Sequence, residues 1–107
     1  MPKYLIQGSY TQEGLQGLLK EGGTSRKEAI NKLAESMGGS VEAIYYAFGD
    51  ADVYIIADMP DNATATAVAL TVGASGAISN FKTTVLMTPE TVDAATKKTI
   101  DYRAPGS

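Results

Sequence analysis

The chain has 107 residues, of which 44% are hydrophobic and 20% charged, a composition typical of a single globular domain spanning residues 1–107. It contains no Cys and no His, which excludes disulfides, thiolate nucleophiles and zinc sites built from the usual ligands. The net charge is −3 and no basic run exceeds two residues, which argues against a nucleic-acid surface.

The first part of the chain predicts a strand followed by two helical pieces. Residues 3–10 suit a short strand that alternates between two faces. Thr11 is a suitable N-cap for a first helical piece, which Gly22-Gly23 ends. The segment Ser25–Glu28 is a capping box that predicts the start of a second helix, and Gly38-Gly39 predicts its end.

The middle of the chain predicts a β-hairpin. Residues 41–48 and 52–59 are two strand-like runs joined by a turn at residues 49–52. With a four-residue turn, Phe48 is expected to lie opposite Val53. The next pair on the same face is then formed by the residue two positions before Phe48 and the residue two positions after Val53. This register places one apolar side of the hairpin under the helices.

The remaining elements predict a helix, a strand and a C-terminal helix. Asp61 can cap a helix whose inward residues are mostly small. Residues 77–87 suit a long strand, and Thr88-Pro89 opens the last helix with an N-cap and a Pro at the first helical position. Residues 98–107 are expected to form an irregular tail.

This element order predicts an α+β protein with the ferredoxin-like βαββαβ arrangement and an extra C-terminal helix. Such a domain has a four-stranded antiparallel sheet with its helices on one face. The other, open face is predicted to carry Leu5, Tyr45, Tyr54, Ile56, Ile78 and Leu86, which is too apolar for contact with water. We therefore predict a homodimer of the dimeric α/β-barrel type, whose two sheets enclose a small cavity.

Polar side chains on the open face are the candidate ligand-binding residues. They are Gln7, Ser9, Tyr45, Tyr54, Asn80 and Lys82. Because the chain lacks His, catalysis would need a Tyr, Lys or carboxylate with a shifted pKa, and the candidates are Tyr45, Tyr54, Lys82 and Asp58. The same groups could instead hydrogen-bond across a dimer interface, so enzymatic activity stays open.

Asp50 and Asp52, with Asp58 and Asp61 nearby in sequence, could offer oxygen ligands to Mg²⁺ or Ca²⁺. Asp is more often a turn former or helix cap at such positions, and we predict neither a metal site nor a cofactor.

The apolar runs are too short for a signal peptide or a membrane span. The apolar run near the N-terminus is only Tyr4-Leu5-Ile6 and ends at Gln7. The longest apolar stretch elsewhere is Ala43 to Phe48. We expect a cytoplasmic protein whose partners are a second copy of itself and a small molecule, without nucleic acid or membrane.

Five separated motifs, in order along nearly the whole chain, resemble the GYD domain family. They are GSYTQEGLQGLLKEGG at 8–23, YYAFGD at 45–50 followed by Asp52, MPD at 59–61, LMTPE at 86–90 and YRAPG at 102–106. The resemblance implies a ferredoxin-like fold of the dimeric α/β-barrel type and an uncharacterised function. The family's turn usually reads Gly-x-Tyr-Asp, whereas this chain has Ala51 at the Tyr position. Any function that the Tyr ring has in the family is therefore missing from this chain.

Three functional hypotheses follow. The preferred one is a homodimer that binds an apolar or aromatic small molecule between its sheets. The alternatives are a structural or interaction module without a pocket, and a cofactor-independent isomerase or monooxygenase of the kind that other dimeric α/β barrels support.

Overall fold

The computed structural model describes residues 1–107 and contains four strands and four helices. In chain order these are β1 (Lys3–Tyr10), α1 (Gln12–Glu21), α2 (Gly23–Ser36), β2 (Ser40–Tyr46), β3 (Val53–Asp58), α3 (Asn62–Ala74), β4 (Ile78–Leu86) and α4 (Pro89–Thr96). The strands form one antiparallel sheet in the order β2-β3-β1-β4. This order confirms the predicted ferredoxin-like fold. None of the helices combines the length and the hydropathy that a transmembrane span requires.

Three helices begin at the residues that the sequence predicts as N-caps. The Thr11 hydroxyl accepts a hydrogen bond from the Gly14 amide at 3.1 Å, and the Asp61 carboxylate accepts one from the Thr64 amide at 2.8 Å. Thr88 caps α4, with Pro89 at the first helical position. Each cap satisfies an amide that the helix itself leaves without a partner, so short local sequences determine these starts.

The capping box predicted at Ser25 does not form, because α2 begins two residues earlier. Gly22 ends α1 by donating its amide to the carbonyl oxygen of Leu18, and it adopts a φ of 83°. That left-handed conformation, which glycine adopts without strain, reverses the chain so that α2 begins at Gly23. Ser25 therefore already lies within the first turn of α2.

The hairpin of β2 and β3 has a longer loop than predicted. Tyr46 pairs with Val53, so residues 47–52 form a six-residue connection, and Phe48 lies fully exposed in it instead of under the helices. The cause is Asp52, whose amide donates to the carbonyl oxygen of Gly8 and whose carboxylate accepts from the Tyr10 amide, each at 2.9 Å. Because the register shifts by two residues, residues 43–46 keep their predicted faces, whereas a second irregularity between Val41 and Ala43 changes the register at the start of β2.

A bulge in β4 changes one predicted face assignment. Lys82 pairs with Gln7, but the next pair toward the start of β4 is Ser79 with Ser9, so β4 contains one extra residue there. Asn80 lies in this bulge with a φ of 51°. As a result, Ile78 pairs with Tyr10 on the helix-covered side, and its predicted place on the open face is wrong.

The hydrophobic core lies between the sheet and the helices. Its buried members are Tyr4, Ile6, Val53, Ile55, Ala57, Met59, Ala65 and Val68. Along β1 and β3 these residues alternate with half-buried ones, which shows that only one face of the sheet is covered.

The C-terminal segment extends away from this core. Every residue from 87 to 107 is exposed, and residues 97–107 form no helix or strand. The radius of gyration is 17.1 Å, compared with about 13 Å for a compact chain of this length. We refer to residues 87–107 as the C-terminal arm.

The Asp61 cap should make stability depend on pH. Its hydrogen bonds with Thr64 lower the pKa of the Asp61 carboxyl below its ordinary value of 3.8. The stabilisation is therefore present above pH 3.8 and is lost as the pH falls through the folded-state pKa. Because Asn is also a good N-cap but does not titrate, we expect Asp61→Asn to reduce the free energy of unfolding at pH 6 and to reduce it less near pH 2.5.

Urea unfolding at the two pH values measures this difference. Asp93→Asn is the matched control, since Asp93 lies on exposed α4 and its carboxylate accepts no hydrogen bond. If Asp61→Asn lowers the free energy of unfolding equally at both pH values, the pH dependence does not come from the Asp61 carboxyl.

Candidate functional site

The open face of the sheet is the surface that no other part of the chain covers. Its apolar members come from all four strands and are Leu5, Ala43, Tyr45, Tyr54, Ile56, Thr84 and Leu86, with Thr84 contributing its methyl group. Tyr45 is 72% exposed, although it lies within a strand. A contiguous apolar surface of this kind is typical of a binding or association surface.

Four of the predicted site residues form a single row across this open face. Tyr45 pairs with Tyr54, Tyr54 pairs with Gln7, and Gln7 pairs with Lys82, so each strand contributes one member. Directly paired side chains have Cβ atoms roughly 5 Å apart, and the row is therefore about 15 Å long. We refer to Tyr45, Tyr54, Gln7 and Lys82 as the polar row.

The order of the polar row bears on the proposed catalysis. Gln7 lies between Tyr54 and Lys82, which places the backbones of these two residues two strand spacings apart, about 10 Å. Within one chain, Lys82 is therefore not a direct neighbour of either tyrosine. The row can offer two phenol hydroxyls, an amide and an ammonium group to a molecule lying across it.

Two further candidates lie at the end of the row near the bulge. The Ser9 hydroxyl donates to the carbonyl oxygen of Asp50 at 3.4 Å, a long hydrogen bond to the hairpin loop. Asn80 is exposed in the bulge and is not paired with a residue of β1. Ser9 and Asn80 thus flank the polar row without belonging to it.

Asp58 lies apart from the polar row, in an ionic cluster at the opposite end of the sheet. The Lys3 ammonium donates to Glu42 at 2.6 Å and to the two Asp58 carboxylate oxygens at 3.0 and 3.2 Å. The hydrogen bond to Glu42, followed by that to Asp58, raises the pKa of Lys3. Asp58 is four residues from Tyr54, about 13 Å along the strand, so it does not join the tyrosines in one site.

The aspartates of the hairpin loop have structural contacts. The Asp52 carboxylate accepts the Tyr10 amide, which anchors the loop to β1. No group of three or more acidic side chains lies close enough to hold a metal ion. Asp50 and Asp52 therefore do not form the oxygen-rich cluster that a Mg²⁺ or Ca²⁺ site requires.

Sequence reasoning missed a cavity on the helix-covered side. Its volume is about 100 Å³, and the residues of α2 that line it include Arg26, Ile30, Leu33 and Met37. Hydrophobic periodicity identifies the last three as core residues. The sequence signal that could have indicated the cavity is Arg26. It lies four residues before Ile30 and therefore on the same face of the helix.

A comparison with protein families identifies the family of this chain. The sequence pattern of the GYD domain matches residues 4–96 of the 107-residue chain. This match extends from the second residue of β1 to the end of α4. Among curated proteins, none is similar enough in sequence to match the chain. The chain belongs to the GYD domain family, whose function is unknown.

Proposed function

We propose that this protein is a homodimer that binds an apolar or aromatic small molecule between the open faces of its two sheets. The observation that carries the proposal is the polar row within an otherwise largely apolar, uncovered face. An occupant held between two such faces would bury its apolar body and meet hydroxyl, amide and ammonium groups at fixed positions. A fully polar sheet face would not bury the apolar body.

The exposed surface of the single chain supports association. Its accessible area is 7488 Å², about 1,800 Å² more than a compact monomer of the same mass exposes. A standard interface buries about 800 Å² on each partner. The C-terminal arm adds four exposed large apolar side chains, Met87, Val92, Ile100 and Tyr102, which a second copy could also cover.

Ile56→Lys tests the association. Ile56 lies in the middle of the open face, in the central strand β3, and two-fold symmetry would bring two uncompensated ammonium groups into the interface. We expect the dissociation constant of the dimer, measured by sedimentation equilibrium, to increase by about 100-fold or more.

The matched control is Leu70→Lys. Leu70 is 70% exposed on α3, on the opposite side of the sheet, so the same charge change should leave the dimer intact. Leu5→Lys is a second open-face variant that guards against a local folding defect at position 56. An unsubstituted chain that is monomeric at micromolar concentration would overturn the proposal.

Binding is tested separately with 2-naphthol as the aromatic probe. Amide signals of the polar row should shift in the unsubstituted dimer, and these shifts should disappear in Ile56→Lys because the monomer lacks the second wall. Tyr54→Phe, which removes one hydroxyl and keeps the ring, should weaken binding without dissociating the dimer. A stable dimer whose open-face signals do not respond to 2-naphthol would instead support the interaction module.

A further inference from the structure

The cavity on the helix-covered side exists because the helices lie over the edges of the sheet. Helix α2 packs against edge strand β2, and α3 packs against β4 at the other edge, whereas the two helices do not pack closely on each other. A space therefore remains between them above the central strands β3 and β1. Its floor includes Ile6 and Ile55, and its walls include Ile30 of α2 and Val72 of α3.

Small residues keep this space open. Gly8, Ala34 and Ala57 line it, and each leaves volume that a larger side chain would occupy. Fifteen of the eighteen lining residues are hydrophobic. Leu33 and Arg26 at the rim are both more than one-third exposed, so the cavity is accessible from solvent at this end. An apolar cavity with an opening can admit a hydrocarbon group.

Arg26 is the charged residue among those that line the cavity. The Arg26 guanidinium is 4.0 Å from the Glu21 carboxylate, which is the limit of an ionic contact. The Tyr46 hydroxyl donates to the carbonyl oxygen of Gly23 at 3.2 Å. Burial, followed by the proximity of Tyr10, raises the pKa of the Tyr46 hydroxyl.

We propose that this cavity binds the hydrocarbon chain of a small aliphatic carboxylate, with the carboxylate on the Arg26 guanidinium. A guanidinium presents a planar pair of donors that matches a carboxylate, and a weakly held Arg at the mouth of an apolar cavity provides the complementary charge. The volume of about 100 Å³ gives room for a short hydrocarbon group.

Hexanoate and hexanol test this proposal, with binding measured by calorimetry and by NMR of the side-chain methyl groups. Hexanoate should bind and shift the methyl signals of Ile30, Met37 and Val68, which line the cavity. Hexanol should bind at the same methyl groups but less tightly, because it lacks the charge.

Arg26→Gln separates the charge from the cavity. We expect this variant to weaken hexanoate binding by about 10-fold or more and to leave hexanol binding unchanged. Lys27→Gln is the matched control, because Lys27 is the next residue, carries the same charge, is exposed and does not line the cavity. If both variants lose the same affinity for hexanoate, only the overall charge of the protein matters, and the proposal is overturned.

Two further outcomes are decisive. Val68→Phe, which fills the cavity from α3, should abolish the binding of both hexanoate and hexanol, and persistent binding would place the ligand elsewhere. Hexanoate shifts that are absent from the methyl groups of the cavity would also overturn the assignment. Ile56→Lys should bind hexanoate as the unsubstituted protein does, because Ile56 lies on the open face and not in the cavity. The test of hexanoate binding is therefore independent of the proposed dimer.

Discussion

Gly14→Ala is expected to destabilise the protein by about 3 kcal/mol, whereas Gly17→Ala in the same helix should stabilise it by up to about 1 kcal/mol. A methyl group at position 14 would lie 2.1 Å from the carbonyl oxygen of Ala77, far inside van der Waals contact. At position 17, nothing lies within 4 Å of the added carbon. The two variants therefore separate the steric effect of a nearby backbone at position 14 from the higher helical preference of Ala, which acts alone at position 17.

The clash at position 14 cannot be relieved locally. The Thr11 amide donates to the Ala77 carbonyl oxygen at 3.0 Å, and the Thr11 hydroxyl donates to that of Gly76 at 2.8 Å. Moving α1 away from the start of β4 would break both hydrogen bonds and disturb the N-cap that Thr11 provides to Gly14. Overpacking against fixed backbone is costly for this reason.

Urea unfolding followed by circular dichroism measures both variants. The Gly14→Ala midpoint should fall, with an unchanged slope, and its melting temperature should drop by about 10 °C or more. Similar stabilities of the two variants would show that α1 does not approach Ala77 as closely as the structure describes.

Local signals account for the parts of the fold that the sequence predicted correctly. Alternation in β1 and β3 predicts their two faces, and the caps at Thr11, Asp61 and Thr88 act on amides three residues away. These interactions depend on neighbours in the sequence. They can therefore be predicted before any tertiary contact is known.

The errors arise where distant segments decide the geometry. The hairpin loop is long because Asp52 binds the end of β1, more than 40 residues earlier in the chain. The bulge in β4 depends on pairing with β1, and Asn80 tolerates the left-handed conformation without marking its position in the sequence. A pattern of period two predicts faces, but it does not determine which residues are paired.

The candidate site shows the same division. The polar row could be predicted because Gln7, Tyr54 and Lys82 each follow the alternation of their own strand. The ion pair of Asp58 with Lys3 could not, since these residues are 55 positions apart in the sequence. The cavity was missed because the separation of two helices depends on how each packs on the sheet, whereas helical periodicity only identifies an inward face.

The second large effect is expected at Tyr4, the largest fully buried side chain, which is 1% exposed. Tyr4→Ala should destabilise the protein by about 4 kcal/mol, because it removes an aromatic ring from the centre of the core and leaves a cavity. Tyr4→Phe should cost only about 1 kcal/mol. The lost hydrogen bond of 2.7 Å is to the Asn62 side-chain oxygen, and exposed Asn62 can bind water instead.

Tyr45→Ala is the matched control on the opposite face of the same sheet. Measured in the Ile56→Lys background, which should be monomeric, it is expected to change the free energy of unfolding by less than about 1 kcal/mol, because Tyr45 is 72% exposed in the single chain. In the otherwise unsubstituted protein, the same change should weaken the dimer. A large loss of monomer stability at Tyr45 would mean that the chain covers its own open face, and the face would then be unavailable to a second copy. A small effect at Tyr45 beside a large one at Tyr4 would show that the open face contributes little to the folding of the single chain and stays available for association.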